Sequence, residues 1–199
     1  MVVTVSSAAV EEYAVVALLG LYLLRRTYRM TQGVPATTVR LVLVPIFYVG
    51  LYALELAGIG FAAVGSSEAT RFYGALSADV ALLAVGTYVA HRVASRQVEL
   101  YRPPGKSDWY YRLRPLLPVT YIVLFFVRVG LETAFLGIAP FTVPTTAQFD
   151  ALSTPSLTIL FVVDALWGLT TGFLVGRSGA VYAAWKRAEA GPGTRPPSA

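Results

Sequence analysis

The sequence predicts an all-α membrane protein, a polytopic helix bundle with five transmembrane helices. The chain of 199 residues is 56% hydrophobic and only 14% charged, whereas soluble domains have about a quarter of their residues charged. It also contains five apolar stretches, each close to the roughly 20 residues that a helix needs to cross a bilayer. These predicted spans are at about residues 8–25, 41–63, 72–93, 115–139 and 156–176.

The first stretch is predicted to be a membrane helix and not a cleavable signal peptide, because Arg25 and Arg26 follow the apolar run instead of preceding it. The second and fourth stretches have Pro45 and Pro118 in their first turns, where proline is tolerated. The third stretch has His91 at its cytoplasmic end, for which we expect an interfacial role without catalysis. Residues 1–190 are therefore predicted to form one transmembrane domain, followed by a disordered cytoplasmic tail at 191–199.

The long connection at about 94–114 joins the third and fourth stretches. It contains a Pro-Pro-Gly turn at 103–105, and Trp109, Tyr110 and Tyr111 lie next to basic residues. Aromatic and basic side chains together are typical of a segment that anchors at a membrane interface, so we predict a short surface-lying anchor here.

The distribution of basic residues predicts the orientation of the chain. Fourteen of the sixteen lie in the segments that follow the first, third and fifth stretches, and the exceptions are Arg71 and Arg128. The positive-inside rule then predicts an outside N-terminus and a cytoplasmic C-terminus in the cell membrane. The pI near 9.6 is explained by this topology and by attraction to anionic lipid, so no nucleic-acid partner is predicted. The excess of Arg over Lys favours a prokaryotic source.

Each apolar stretch carries a carboxylate in its predicted outer half. A charged side chain at the centre of a membrane helix is unfavourable by roughly 2.5–3.5 kcal/mol. Five such residues are therefore expected to have a structural or functional role. Apart from Glu12, which is shallower, the acids are predicted to lie roughly 8–12 Å below the outer helix ends. The predicted ligand- or ion-binding residues are these four deeper acids and the single intramembrane cation, namely Glu55, Asp79, Arg128, Glu132 and Asp164.

Helical spacing places these side chains on defined faces. Tyr52 and Glu55 share a face of the second helix, and Arg128 can pair with Glu132 four residues later. On the fifth helix Asp164 begins a stripe that continues through Gly168, Gly172 and Gly176, a small-residue pattern that predicts close helix packing. An oligomer is expected to complete any pathway, and this stripe would be its contact if it is not used internally.

Three functions remain open at this stage. The first is proton- or cation-coupled transport or solute binding, in which the acids not neutralised by Arg128 hold a proton or a small cation, or line a water-filled vestibule. The second is an accessory or assembly subunit of a larger membrane complex, in which each acid is a structural hydrogen-bond partner of donors such as Tyr48, Tyr52, Tyr73 and Thr133. The third, least favoured, is an enzyme that modifies lipids.

The sequence contains little to support cofactor chemistry. It has no cysteine and one histidine, so no metal site, no haem and no other cofactor are predicted. The catalytic motifs H-E-x-x-H and G-x-S-x-G, the P-loop and the dinucleotide fingerprint do not occur in it. An enzyme is therefore less expected than a binding or transport protein, and the lipid bilayer is the expected partner.

Overall fold

The computed structural model describes residues 7–64, 69–136, 147 and 153–191, with side chains described from Ala14 onward except at 15, 16, 19 and 136. This part of the chain is helical, in agreement with the predicted all-α class. The helices are α1 (Ser7–Gln32), α2 (Val44–Ala63), α3 (Ala69–Gln97), α4 (Leu116–Leu131) and α5 (Thr154–Glu189). Short π-helical segments precede α2 at Val39–Leu43 and follow α4 at Glu132–Leu136.

Four of the described helical segments are long and apolar enough to cross a membrane: Val39–Ala63, Ala69–Gln97, Leu116–Phe135 and Thr154–Glu189. They coincide with the second to fifth predicted spans. The first predicted span corresponds to α1, a helix of 26 residues that is not among these four. A fifth crossing and the orientation of the termini therefore stay predictions. The predicted tail lies outside the described residues apart from Gly191.

Helix α5 is much longer than the predicted span at 156–176. It starts after Ser153, whose hydroxyl accepts a hydrogen bond from the Ser156 amide, and it continues to Glu189. The prediction placed its end where the apolar run stops, before Arg177 and Ser178. Both of these polar residues are buried, and Val181 follows them on the same face. The helix thus continues because of its tertiary packing, which hydropathy does not detect.

The connection predicted as a surface-lying anchor contributes two strands to a small antiparallel sheet of three, and its position at a membrane interface stays a prediction. The strands of the sheet are β1 (Val34–Pro35), β2 (Glu99–Tyr101) and β3 (Tyr110–Arg112), with β3 in the centre. Two further backbone hydrogen bonds attach the sheet to α1 and to the chain after β1, from the Leu113 amide to the Met30 carbonyl and from the Ala36 amide to the Trp109 carbonyl. The sheet covers the end of the bundle where α1 and α3 end and α2 and α4 begin, which we call the basic end; the opposite end is the far end.

The closest helix pair is α3 with α5, and the glycine stripe lies in this interface. A Cβ atom added at Gly168 would lie 2.9 Å from the Asp79 carbonyl oxygen. At Gly172 and Gly176 it would collide with backbone carbonyl oxygens of α3, those of Leu83 and Thr87. The stripe therefore permits contact between the two helix backbones within one chain. Because it is used internally, it is not available as the contact of an oligomer.

Candidate functional site

Arg128 is the centre of a buried ion-pair network. Its side chain is 0% exposed, and its Nη2 atom lies 2.6 Å from Glu55 Oε1 on α2 and 2.9 Å from Glu132 Oε1 at the end of α4. The guanidinium carbon is 3.8 Å from the ring centroid of Trp167 on α5, a distance suited to a cation–π contact. One arginine thus joins three helices. The i, i+4 spacing predicted the pairing with Glu132 but not the shorter contact with Glu55.

Asp79 of α3 and Asp164 of α5 lie beside this network and are 2% and 3% exposed. The Asp164 carboxyl group interacts electrostatically with all the other members of the predicted set, namely Glu55, Asp79, Glu132 and Arg128. The hydroxyl of Tyr52 interacts electrostatically with the carboxyl groups of Asp79, Asp164 and Glu55. The structure therefore brings the five predicted site residues together, whereas the side chain of Glu12 lies outside the described residues.

The depth of the two aspartates follows from the helix starts. Each lies ten residues into its helix, roughly 15 Å from the first residue at about 1.5 Å per residue. This is deeper than the 8–12 Å expected from hydropathy, because α3 and α5 begin two or three residues before their apolar runs. The acids consequently lie well inside the bundle rather than near its outer edge.

Charge and hydrogen bonding in this cluster are unbalanced. Four carboxyl groups surround one guanidinium, and neither Asp79 nor Asp164 forms an ion pair within the described part of the chain. The Oδ1 atom of Asp79 and the hydroxyls of Tyr52 and Thr133 are fully buried, and among the described residues they have no hydrogen-bond partner. An unpaired buried polar atom is unfavourable, so a hydrogen bond to any of these three atoms would stabilise the fold.

Apolar packing separates the cluster from the far end. Ile59 of α2, Phe72 of α3, and Leu157 and Leu160 of α5 are buried against one another one to two helical turns beyond the acids. We call these four residues the apolar layer. A cleft of about 320 Å³ lies between α3 and α5 at the level of this layer, and its lining includes Arg71 and Leu157 as well as Ala75 and Phe161, one turn before Asp79 and Asp164. Among the described residues, the side chains between the acids and the far end are mainly apolar.

No three His, Asp or Glu side chains that the structure describes are placed to hold a metal ion together. Arg128 occupies the position between Glu55 and Glu132 where a cation would otherwise be shared. His91 is exposed on α3 near the basic end, away from the cluster.

Two buried side chains of α5 were not identified from the sequence. Trp167 stacks on Arg128, and its position three residues after Asp164 on one helix face was the available signal. Arg177 was assigned to a cytoplasmic tail, but it is buried in α5, with its Nη1 atom 3.2 Å from Met30 Sδ. The helical spacing of apolar residues does not indicate that an arginine directly after an apolar run is buried.

No family model matches the chain, and no curated protein or solved structure is significantly similar to it.

Proposed function

We propose that this is a proton-coupled transport protein of the cell membrane, with five spans and an outside N-terminus, in which Asp79 and Asp164 share the transported or coupling proton. The observation that carries the proposal is the distribution of charge around Arg128. Its guanidinium contacts Glu55 and Glu132, so the two aspartates are buried without a counter-ion of their own. A shared proton neutralises one of the two carboxylates and hydrogen-bonds it to the other, so it lowers the free-energy penalty of burying both in a low-dielectric interior.

The ion-pair network has a different role in this proposal. Arg128 keeps Glu55 and Glu132 ionised and fixes their positions, and Trp167 holds the guanidinium from the α5 side. The hydroxyl of Tyr52 lies beside Asp79 and Asp164, where it can donate a hydrogen bond to whichever carboxyl group has released its proton. The proton is favoured over a metal cation because the described acids do not form a three-donor set.

The apolar layer provides the element that opens and closes. A proton on the aspartate pair reduces the net negative charge of the cluster, and the layer between it and the far end is then stable in the closed arrangement described above. Loss of the proton would leave buried anions, which favour an arrangement in which water enters from the cleft beside Ala75 and Phe161. A proton gradient would in this way bias two arrangements of the same helices, and a solute would move with the change.

An accessory or assembly role is the second candidate, and it has its own supporting observation. Arg128 joins α2, α4 and α5 through two carboxylates and one aromatic ring, a network that can specify helix pairing without any bound ligand. Large apolar side chains of α2 such as Phe47, Leu54 and Phe61 are exposed and could pack on a partner subunit as well as on lipid. A lipid-modifying enzyme is the least supported of the three.

Asp79→Asn should remove a titrating carboxyl group from the protein and abolish proton movement. We expect infrared difference spectra of the wild-type protein, recorded between acidic and alkaline pH, to contain the carbonyl band of a buried protonated carboxyl group. We expect this band to be lost or reduced in Asp79→Asn and in Asp164→Asn. Wild-type proteoliposomes should also dissipate a pH gradient faster than those carrying either variant.

The matched control is Glu99→Gln, since Glu99 is half-exposed and pairs with Arg112 outside the cluster. It should leave both the band and the proton flux unchanged. Spectra in which the aspartate variants have the same band as the wild type would refute the proton site. A band that depends on Asp79 without any proton flux would instead favour the accessory role.

A further inference from the structure

A second polar feature lies at the basic end, separate from the acidic cluster. A cavity of about 600 Å³ opens between the end of α1, strand β1 and the start of α2. Four arginines line it, together with two tyrosines, and no carboxylate is among the residues that line it. The six residues are Tyr22, Arg25, Arg26, Arg29, Arg40 and Tyr111.

Among the described residues, the four arginines have no carboxylate counter-ion. Carboxylates pair with Arg112, Arg128 and Lys186, but none of the cavity arginines forms an ion pair in the described part of the chain. Like charges around one concave surface repel each other and concentrate a positive potential inside it. Such a cavity attracts an anion strongly, and the planar guanidinium forms paired hydrogen bonds with phosphate oxygens.

The cavity is built on a rigid base. Gly33 ends α1 with a φ of 117°, a conformation that suits glycine, and the next two residues pair with Tyr110 and Tyr111 of β3. The Met30 carbonyl accepts a hydrogen bond from the Leu113 amide. These contacts hold the last turn of α1, which carries Arg29, against the sheet, and Arg25 and Arg26 lie one turn earlier on the same helix. The arginines are thus placed before any ligand arrives.

Further positive charge lies under the cavity. Arg177 of α5 is buried beneath Met30, and it interacts electrostatically with Arg26. Beside the cavity, Leu18 and Leu21 of α1 and Leu43 and Phe47 at the start of α2 are exposed apolar side chains. An anionic headgroup in the cavity would therefore have apolar surface next to it for acyl chains.

We propose that this cavity binds a phosphate-bearing anion, such as the headgroup of an anionic phospholipid or a soluble phosphate compound. Arg25, Arg26, Arg29 and Arg40 contact the phosphate oxygens, and the tyrosines bound the site on two sides. Occupation relieves the mutual repulsion of the arginines and joins α1 to α2 through the ligand. The site is independent of the proton site, since the two share no residue.

The experiment compares two double variants of the purified full-length chain. Arg25→Gln with Arg29→Gln removes two exposed cavity arginines, and Arg92→Gln with Arg96→Gln removes two exposed arginines of α3 that do not line the cavity. Binding of phosphatidylglycerol, with phosphatidylcholine as the neutral reference, is measured by native mass spectrometry and by the melting temperature in detergent. Inorganic phosphate and pyrophosphate are added in separate samples to test the soluble source.

We expect the wild type and the α3 double variant to retain phosphatidylglycerol, and the cavity double variant to lose affinity by about tenfold or more per arginine. Competition by pyrophosphate at low concentration would identify a soluble ligand, and retention of the lipid against it would identify a headgroup. Equal losses in the two double variants would overturn the proposal, because they would show general attraction to basic charge. Absence of binding by every probe would overturn it as well. The single variant Arg40→Gln repeats the test on α2 if the α1 variant is unstable.

Discussion

Arg128→Met is expected to destabilise the folded protein by about 3–5 kcal/mol, because it removes the cation from a buried ion-pair network. Glu55 and Glu132 would lose the guanidinium that lies 2.6 Å and 2.9 Å from their oxygens. Methionine replaces most of the side-chain volume, so the effect reports charge more than packing. Equilibrium unfolding in mixed micelles, followed by circular dichroism, measures the change in free energy of unfolding.

Arg112→Met is the matched control for this change. Arg112 pairs with Glu99 at the same 2.6 Å, but the two side chains are 57% and 50% exposed. Exposed ion pairs contribute about 0–1 kcal/mol, so this variant should be close to the wild type. A triple variant that combines Arg128→Met with Glu55→Gln and Glu132→Gln should recover much of the stability, since no buried charge is left unpaired. Similar effects of Arg128→Met and Arg112→Met would show that Glu55 and Glu132 are already neutral.

The apolar helices were accessible from sequence, but the exact depth of the acids and the neighbours of each helix were not. Hydropathy located the four helices that can span a membrane, and helical spacing placed Arg128 on one face with Glu132. Neither hydropathy nor helical spacing specifies which helix packs against which. The contact between Glu55 and Arg128 joins residues 73 positions apart in the chain, and it depends on how α2 packs against α4. Likewise, the spacing of the glycines does not indicate that the stripe packs against α3.

The errors in the prediction have a common physical origin. Residues that tertiary packing buries, such as Arg177 and Ser178, were interpreted from their polarity as the end of a helix. Strands β2 and β3 have three residues each, too few for an alternating pattern to be recognised. They pair with each other, and β3 also pairs with β1, which lies more than sixty residues earlier in the chain. In each case the local sequence pattern does not indicate a contact that is made with residues far away in the chain.

The double variant Gly172→Ala with Gly176→Ala is expected to destabilise the protein by about 1–3 kcal/mol or more, because added methyl groups overpack a tight interface. A Cβ at either position would meet a backbone carbonyl of α3, and a backbone cannot move aside as a flexible side chain can. Thermal melting of the purified protein in one detergent measures the effect.

Gly50→Ala with Gly130→Ala makes the same chemical change where a Cβ would meet nothing within 4 Å. Because alanine is favoured over glycine inside a helix by about 0.5–1 kcal/mol per residue, this control should be neutral or stabilising. Opposite signs for the two double variants would show that α3 and α5 touch through their backbones. Equal signs would mean that the two helices separate at these glycines, and Asp79 and Asp164, which the same pair of helices carries, would then no longer be held together.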